Sequence, residues 1–327
     1  MHLKNRALSL LLKHNLENKA FAPSPEQITA WKAHNLPDRS NGPTNPYELV
    51  LVAAAHDLET AAKFTDLYFE NLRPQGLVVI TKDAVAAKRL FPSDNVTVLD
   101  ENEILDGLTY EAVQQLNSRK TGWYFQQFVK MAYARRCAND WYLVFDGDTA
   151  PLVPLQFLSD GKGVFIQKGE YYEPYFTMID KLFDGQVSRT VNFSFIAESM
   201  LFRRDIMLEL LARIEANDKL PGTAFYEKIL RSVARAGLSG CDFSEYETYG
   251  NYVCAFYQDA YTARPIRSFR EAMKFFGVIP ERHILDYLSR DYEIVSFEKK
   301  HCTETPLGVV EFINRCFKNR EVAADGG

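Results

Sequence analysis

The sequence predicts an α/β fold with a mostly parallel central sheet and helices on both faces. Between residues 47 and 145, short apolar runs alternate with helical patterns, which is typical of strand–helix–strand units. The runs are almost continuously apolar, as expected for parallel strands buried on both faces. Charged residues follow where the runs stop, and such sheets bind ligands at the carboxyl ends of their strands. These observations predict a ligand site at one edge of the sheet.

The first half of the chain contains the clearest elements. The predicted strands are YELVLVAAA from residue 47, LVVITKD (77–83), NVTVLD (95–100) and WYLVF (141–145). Three helices are predicted in this half. The first runs from its N-cap Asp57 to about Leu72, the second follows LVVITKD and ends at Leu90, and the third runs from about Gly122 to Cys137. The charged residues at the strand ends are Asp57, Lys82, Asp83, Asp100, Asp146 and Asp148.

The second half has a mixed pattern, and we expect it to extend the same sheet and to form the floor for a second substrate. The predicted elements are a strand GVFIQ (163–167), a helix capped by Asp205, a helix opened by Ser244, a strand YEIVSF (292–297) and a closing helix (306–319).

The chain is predicted to have three parts: a helical extension and linker (1–46), an α/β domain (47–305) and a C-terminal helix and tail (306–327). Residues 3–16 form a basic amphipathic pattern without an acidic residue. This helix is expected to dock on the body or on a second subunit, with peripheral membrane contact as the alternative. Ser24-Pro25-Glu26-Gln27 is a capping box that opens a helix to about Asn35.

Composition excludes several classes of function. Of 327 residues, 46% are hydrophobic and 25% charged, with a net charge of −5, so nucleic-acid binding is not expected. Five scattered cysteines without a CxxC pair favour a reducing compartment, and a cytoplasmic protein is expected. No apolar run reaches the length of roughly 18 residues that a spanning helix needs.

The stretch WYLVFDGDTA (141–150) places two aspartates directly after a buried strand. In an extended segment Asp146 and Asp148 would point to the same face. Two carboxylates on one face suit Mn²⁺ or Mg²⁺, which complete their shells with phosphate oxygens and water. The alternative interpretation is a surface loop of solvated acids.

A second alternative is a haloacid dehalogenase-like phosphatase, in which Asp146 would be the nucleophile and Asp148 the acid/base. Two observations argue against this class of enzyme. Its signature lies on the first strand of its fold, whereas three predicted strands precede this one. The last position of the D-x-D-x-[TV] signature is Ala150.

Four sequence blocks resemble GT-A glycosyltransferases, and more closely bacterial glycosyltransferases of the surface-polysaccharide type. The blocks are GWYFQQFVKMA (122–132), YLVFDGDTAPL (142–152), FIAESMLFRRDIM (195–207) and SEYETYGNYV (244–253). The resemblance spans roughly residues 50–300. It implies a GT-A-like fold, Mn²⁺ or Mg²⁺ held by Asp146 and Asp148, and a nucleotide-sugar donor, with a UDP-sugar expected first. It also implies a glycan or lipid-linked acceptor. A catalytically silent carbohydrate-binding relative is the remaining alternative.

The resemblance also implies roles for residues around the acidic pair. Glu245 is the first candidate for the base that deprotonates the acceptor, Glu247 the second, and Glu198 a candidate for acceptor binding. Glu198 could instead pair with Arg203 or Arg204. The selected candidates for contacts to the nucleotide and its phosphates are Asp57, Lys82, Arg119, Gln127 and Lys130, with Lys120 and Gln126 as neighbouring residues that could assist. A third metal ligand is expected to be His301, with His283 as the other late histidine and His56 beside the nucleotide base.

Overall fold

The computed structural model describes residues 26, 29–30, 44–117, 119–233, 241–270, 272–276, 279 and 281–298. Residues 26, 29 and 30 are helical, within the helix predicted to open at Ser24. The predicted helix 3–16, most of the linker, His301 and the closing helix 306–319 lie outside the described residues.

The strands are short, and the first four match the apolar runs of the sequence. In chain order they are β1 (Tyr47–Val52), β2 (Leu77–Thr81), β3 (Val96–Asp100), β4 (Trp141–Phe145), β5 (Thr149–Pro151), β6 (Leu158–Ser159), β7 (Lys162–Gln167), β8 (Ser199–Arg203), β9 (Tyr261–Pro265), β10 (Ser268–Phe269) and β11 (Ile294–Ser296).

The helices cover both faces of the sheet. In chain order they are α1 (Leu58–Lys63), α2 (Thr65–Asn71), α3 (Ala84–Leu90), α4 (Tyr110–Leu116), α5 (Thr121–Ala132), α6 (Glu173–Leu182), α7 (Arg204–Ala216), α8 (Phe225–Ser232), α9 (Glu245–Phe256), α10 (Ala272–Phe276) and α11 (Arg282–Leu288). Short 3₁₀ turns lie at Ala55–Asp57, Glu101–Glu103, Tyr133–Arg135 and Gln258–Ala260.

The central sheet has the strand order β3-β2-β1-β4-β8. Its first four strands are parallel, and β8 pairs antiparallel with β4. The prediction of an α/β fold with a mostly parallel sheet is therefore confirmed. The chain runs outward from β1 through β2 to β3 and then returns to the other side of β1 to form β4. This reversal creates a topological switch point, and the loops after β1 and β4 diverge there to leave a crevice.

Alternate side chains of β1 enter two separate hydrophobic cores. Val50 belongs to the core formed with α5, α7, α8 and α9, whereas Leu49 and Leu51 belong to the core on the other face, formed with α1, α2, α10 and α11. Burial on both faces explains why the strand is apolar at nearly every position rather than at alternate positions.

The second half extends the central sheet only through β8, so the expectation for this half was largely wrong. GVFIQ forms β7, which pairs with β6 and β9 in a separate sheet, and the strand of YEIVSF forms β11, which pairs with β10 and β5. The β7–β9 sheet contacts β8 through side chains: Tyr261 donates a hydrogen bond to the Leu201 carbonyl (3.0 Å). These contacts pack one sheet against another instead of lengthening the first.

Two predicted helix starts differ in detail from the structure. Asp57 occupies the N-cap position of α1, but its side chain makes no capping hydrogen bond. Asp205 lies in the first turn of α7, and its carboxylate pairs with Arg203, which takes the N-cap position. In the described part of the chain, no helix combines the length and the apolarity that crossing a membrane requires.

Gly250 offers a test of the packing of α9. A Cβ at this position would lie 2.3–2.5 Å from ring atoms of Phe195, which is fully buried and cannot move away freely. Gly250→Ala should lower the free energy of unfolding by roughly 1–2 kcal/mol, because the cost of overpacking exceeds the gain in helix propensity. Urea unfolding measures the change. Gly169→Ala is the control, since a Cβ there meets nothing within 4 Å. Equal stability of the two variants would contradict the packing.

Candidate functional site

A cavity of about 230 Å³ lies at the switch point, where β1 and β4 end. Residues that follow both strands line it, together with residues from α5, from the end of β10 and from the end of β11. The lining residues are Val52, Ala53, His56, Asp57, Gln126, Asp146, Gly147, Asp148, Arg270 and Glu298. The sheet edge predicted from the sequence is therefore the edge that carries the cavity.

A tight turn presents the acidic pair to this cavity. The Asp146 amide donates to the Glu198 carbonyl (2.9 Å), which continues the pairing of β4 with β8 by one residue. The Thr149 amide then donates to the Asp146 carbonyl (3.0 Å) and closes the turn around Gly147. Both carboxylates consequently line the same cavity, although a turn rather than the expected extended segment brings them together.

The cavity carries more negative than positive charge. Four of its described lining residues are carboxylates (Asp57, Asp146, Asp148 and Glu298), and the arginine among them is Arg270. Arg270 Nε lies 3.1 Å from Glu298 Oε1, so much of its charge is already balanced. Carboxylate oxygens are the donors that hard divalent cations prefer, and Mg²⁺ typically uses one or two of them beside phosphate and water.

The donor set fits such a cation with two protein ligands. No group of three or more His, Cys, Asp or Glu side chains arranged to hold a metal ion occurs among the described residues. Asp146 and Asp148 therefore fit a site in which a bound phosphate and water supply the remaining oxygens. A third ligand at His301 stays a prediction.

A buried lysine joins the acidic pair to the start of α9. Lys130 Nζ lies 3.0 Å from Glu245 Oε1 and 3.4 Å from Asp146 Oδ1, and it stands 4.8 Å above the ring of Tyr246. The side chains of Lys130 and Glu245 are each 6% exposed. Burial lowers the pKa of Lys130, but Glu245, Tyr246 and Asp146 outweigh this effect and raise it well above its ordinary value. The ammonium therefore stays charged.

The same lysine limits the effect of burial on Asp146. Burial raises the pKa of Asp146, and Lys130 opposes this rise, while Glu245 and Glu198 add to it. Glu245 has a structural role that the sequence did not reveal, because it is the closest counter-ion of Lys130.

Gln126, rather than Gln127, faces the cavity. Gln127 is buried, accepts a hydrogen bond from the Glu245 amide (3.0 Å) and donates one to the Trp123 carbonyl (3.0 Å). Its amide group therefore fixes the start of α9 against α5. Adjacent residues of a helix lie about 100° apart, so only one member of this pair can face the ligand space. The prediction that Gln127 contacts the nucleotide was therefore wrong, and Gln126 is the member of the pair that lines the cavity.

Glu247 belongs to a separate buried network. The Ser244 hydroxyl accepts from the Glu247 amide (3.2 Å), which confirms the N-cap of α9. The Glu247 carboxylate accepts instead from the Ser194 hydroxyl (2.5 Å), the Phe195 amide (3.2 Å) and Asn251 (3.1 Å). Burial raises its pKa, and these hydrogen bonds oppose the rise. The network ties α9 to the segment that precedes β8.

Glu198 pairs with Lys168 (2.9 Å) and lies 3.6 Å from Arg270, so the expected pairing with Arg203 or Arg204 was wrong. Arg203 lies at the far end of β8, about 16 Å along an extended strand from Glu198. Arg204 donates to the Ala134 carbonyl (3.1 Å) instead. Glu198 thus connects β8 to the wall of the cavity.

Several predicted phosphate and nucleotide contacts are not brought to the cavity. Arg119 and Lys120 are exposed at the start of α5, and exposed Lys82 stands 5.9 Å from the ring of Tyr110. Asp83 caps α3 through the Ala86 amide, and Asp100 caps the following 3₁₀ turn through the Asn102 amide. These two aspartates therefore have structural explanations.

Arg270 and Glu298 line the cavity but were not predicted from the sequence. Glu298 follows the apolar residues of β11 as Asp146 follows β4, so the same signal of a charge after a buried strand was present. Arg270 follows the two-residue strand β10, which is too short to show a pattern.

Residues 63–266 match the model of a family of unknown function, DUF6492, and this match covers more than half of the chain. The chain belongs to this family. The DUF6492 segment includes the acidic pair, Gln126, Lys130 and α9, whereas β1, Arg270 and Glu298 lie outside it. No curated protein matches the sequence.

Solved structures show distant similarity. The WbbM bifunctional glycosyltransferase in its apo form matches with a TM-score of 0.42 and 11% identity, over 87% of this chain and 53% of its own. The chain thus spans about half of WbbM. Galactosyltransferase LgtC, in complex with donor and acceptor sugar analogues, matches with a TM-score of 0.38 and 12% identity, over 83% and 95% of the two chains.

Glucosyl-3-phosphoglycerate synthase from Mycobacterium tuberculosis, in complex with Mn²⁺, UDP and phosphoglyceric acid, matches with a TM-score of 0.35 and 14% identity. This match covers 73% of this chain and 72% of the synthase. At these scores the similarities carry no argument about the activity of this chain.

The buried contacts of Lys130 with Glu245 and Asp146 lead to a prediction about the stability of this DUF6492 protein. Lys130→Met should lower the free energy of unfolding by about 3–5 kcal/mol, because it leaves the buried Glu245 carboxylate without its counter-ion. Adding Glu245→Gln to this variant should recover part of the loss. Lys219→Met, in an exposed pair with Asp184, is the matched control and should cost less than about 1 kcal/mol. Chemical denaturation measures all three, and similar losses for Lys130→Met and Lys219→Met would contradict the ion pair.

Proposed function

We propose that this protein is a metal-dependent glycosyltransferase that uses a nucleotide-diphosphate sugar. The observation that carries the proposal is the position of the Asp146–Asp148 pair in a cavity at the switch point of a mostly parallel sheet. Nucleotides bind at such switch points in open α/β sheets because the loops diverge there. A diphosphate needs a cation beside these carboxylates, and the two donors fit Mn²⁺ or Mg²⁺.

The residues around the pair have distinct roles in this proposal. Asp146 and Asp148 would hold the cation, which would neutralise the negative charge of the diphosphate. Arg270 faces the same cavity and could bind a phosphate oxygen with its guanidinium. His56 and Asp57 lie at the end of β1, with His56 Nε2 3.3 Å from Asp57 Oδ2, and would contact the base or the ribose.

Glu245 is the proposed base for the acceptor hydroxyl. It shares the Lys130 ammonium with Asp146, so its carboxylate lies close to the proposed donor site. A base must come within hydrogen-bonding distance of the hydroxyl that it deprotonates. This role applies if the reaction inverts the anomeric configuration, since a retaining reaction needs no strong base.

The acceptor is proposed to be a glycan or a lipid-linked saccharide of a bacterial surface polysaccharide, with a UDP-sugar as the first donor to test. The resemblance of the four sequence blocks supports this choice. A cytoplasmic location with peripheral membrane contact through residues 3–16 belongs to the same proposal.

The phosphatase alternative has less support. Three strands precede β4 in the chain, so the acidic pair does not follow the first strand as in haloacid dehalogenase-like enzymes. Asp146 is also near a buried lysine, Lys130, which holds its carboxylate in an ion pair.

Asp148→Asn should remove metal-dependent nucleotide binding, because it takes away one of the two anionic ligands. The measurement is a thermal-shift panel of UDP-, GDP-, ADP- and dTDP-sugars with and without Mn²⁺. A nucleotide that binds the native protein raises its melting temperature. The wild type should respond only when Mn²⁺ is present, and Asp148→Asn should not respond.

Asp259→Asn is the matched control, since Asp259 is exposed on the 3₁₀ turn after α9. It should respond like the wild type. A full response in Asp148→Asn, or a response of the wild type that EDTA does not abolish, would contradict the proposed metal site. Protection of Asp146 by beryllofluoride would favour the phosphatase. Saccharide binding that needs neither nucleotide nor Mn²⁺, without transfer, would favour a silent relative.

Glu245→Gln should slow transfer by roughly 100-fold or more, because general base catalysis typically contributes this much. Nucleotide binding should stay near the wild-type value, since the variant keeps Asp146 and Asp148. Transfer from the donor identified in the panel is measured by release of the nucleotide diphosphate. Glu59→Gln, on the exposed side of α1, is the control. A transfer rate close to that of the wild type would remove Glu245 from the role of base.

A further inference from the structure

We propose that an exposed aromatic surface beside the cavity binds the saccharide acceptor, an inference that rests on the proposed transferase function. The surface is here called the aromatic platform. It lies between β7 and the first turn of α6, and Arg189, from the segment that follows α6, also contributes to it. Its members are Tyr171, Tyr172, Tyr175, Phe176 and Arg189.

The outer part of the platform is a pair of stacked rings. Tyr171 is 58% exposed, and its ring lies 5.2 Å from that of Phe176 with an angle of 20° between the planes. The Arg189 guanidinium lies 4.9 Å from the Tyr171 ring and 5.2 Å from the Phe176 ring. Its buried Nε makes no hydrogen bond to a described residue. The arginine therefore contributes mainly by holding the rings in place through cation–π contacts.

The inner part of the platform points toward the proposed base. The rings of Tyr172 and Tyr175 make an edge-to-face contact, with centroids 4.9 Å apart. Burial raises the pKa of the Tyr175 hydroxyl, and charges at Cys241, Glu245 and Glu170 raise it further. The hydroxyl of Tyr175 thus lies within electrostatic range of Glu245, the proposed base.

An ion pair connects the platform to the donor cavity. Glu170 immediately precedes Tyr171, and its Oε1 lies 2.9 Å from Arg270 Nη1. Arg270 lines the cavity. Consecutive Cα atoms are about 3.8 Å apart, so the platform begins one residue from a contact of the cavity wall. A saccharide on the platform would therefore lie next to a donor in the cavity.

The chemistry of the platform favours a sugar over a lipid or an apolar peptide. A pyranose has an apolar C–H face, which an aromatic ring can cover, and hydroxyls around its edge. Carboxylates of Glu170 and Glu173 lie at the edge of the platform and can accept hydrogen bonds from hydroxyls. Tyr171 is the strongly exposed ring of the platform, and it is surrounded by charged groups. An acyl chain or an apolar helix would need a wider apolar surface.

The test uses the full chain and saturation-transfer NMR with millimolar methyl glycosides of glucose, galactose, mannose and N-acetylglucosamine. At least one glycoside should bind the wild type without donor or metal. Tyr171→Ala should raise its Kd roughly ten-fold, because the stacking ring is lost. Tyr171→Phe keeps the ring and loses the hydroxyl that contacts Glu173, so it should bind within roughly two-fold of the wild type.

Phe256→Ala is the matched control for an exposed ring beneath an arginine. Phe256 is 38% exposed, and the Arg213 guanidinium lies 4.2 Å from its ring. It lies on the last turn of α9, about 16 Å along the helix from Glu245, and is not a member of the platform. This variant should leave glycoside binding unchanged, which separates loss of stacking from a general loss of stability.

Two results would overturn the proposal: no glycoside binds the wild type, or Tyr171→Ala binds glycosides as well as Phe256→Ala does. If no glycoside binds and Tyr171→Ala reduces binding to vesicles of phosphatidylglycerol and phosphatidylethanolamine, the surface is assigned to a membrane. Failure of the proposed transferase function gives a different result from failure of the platform. In that case glycosides still bind through Tyr171, but no nucleotide-sugar binds with Mn²⁺. The platform would then be a saccharide site without a role as an acceptor site.

Discussion

The contact between Lys130 and the carboxylates of Asp146 and Glu245 is the interaction on which the geometry of the site depends. It joins α5, the end of β4 and the start of α9 through one buried ammonium. A charge in such a place is tolerated only when it is paired, because removing it from water costs several kcal/mol. The Gln127 amide, one turn before Lys130 on the same side of α5, also holds these two helices together. The acidic turn and the first residue of α9 therefore cannot move independently.

A second set of charges lies around Arg270. Its guanidinium contacts Glu170 and Glu298 and lies near Glu198, so it joins the end of β10 to three other segments of the chain. The other carboxylates that line the cavity are those of Asp57, Asp146 and Asp148. This distribution accounts for both parts of the proposed donor: the carboxylates of the Asp146–Asp148 turn suit a divalent cation, and the arginine suits a phosphate. It also explains how the aromatic platform can lie beside the donor site, since Glu170 immediately precedes the platform and pairs with Arg270 of the cavity wall.

The predictions from the sequence succeeded where a local pattern decides the structure. The strands β1 to β4, the N-cap at Ser244 and the place of the acidic pair after β4 follow from apolar runs and from the residues that end them. The errors concern the partners of side chains. Gln127 was chosen instead of Gln126 because the pattern does not fix the rotation of α5 about its axis. Glu198 was assigned to the wrong arginines because proximity in sequence does not give proximity across an extended strand. Arg270 follows a strand of two residues, which leaves no periodic signal.

By itself, the sequence determined the α/β class, the parallel core of the central sheet and the place of the acidic pair at its edge. A run of apolar residues shows that a strand is buried on both faces, and the first charged residues after the run show where the strand ends. Both signals come from consecutive residues, so these features are encoded locally. Only the tertiary structure decided that residues after β1, β4, β10 and β11 share one cavity, that Lys130 joins Asp146 to Glu245, and that Glu170 places the aromatic platform beside Arg270. These contacts connect residues up to about 245 positions apart, such as Ala53 and Glu298, and their formation depends on strand order and helix packing, which no local pattern specifies.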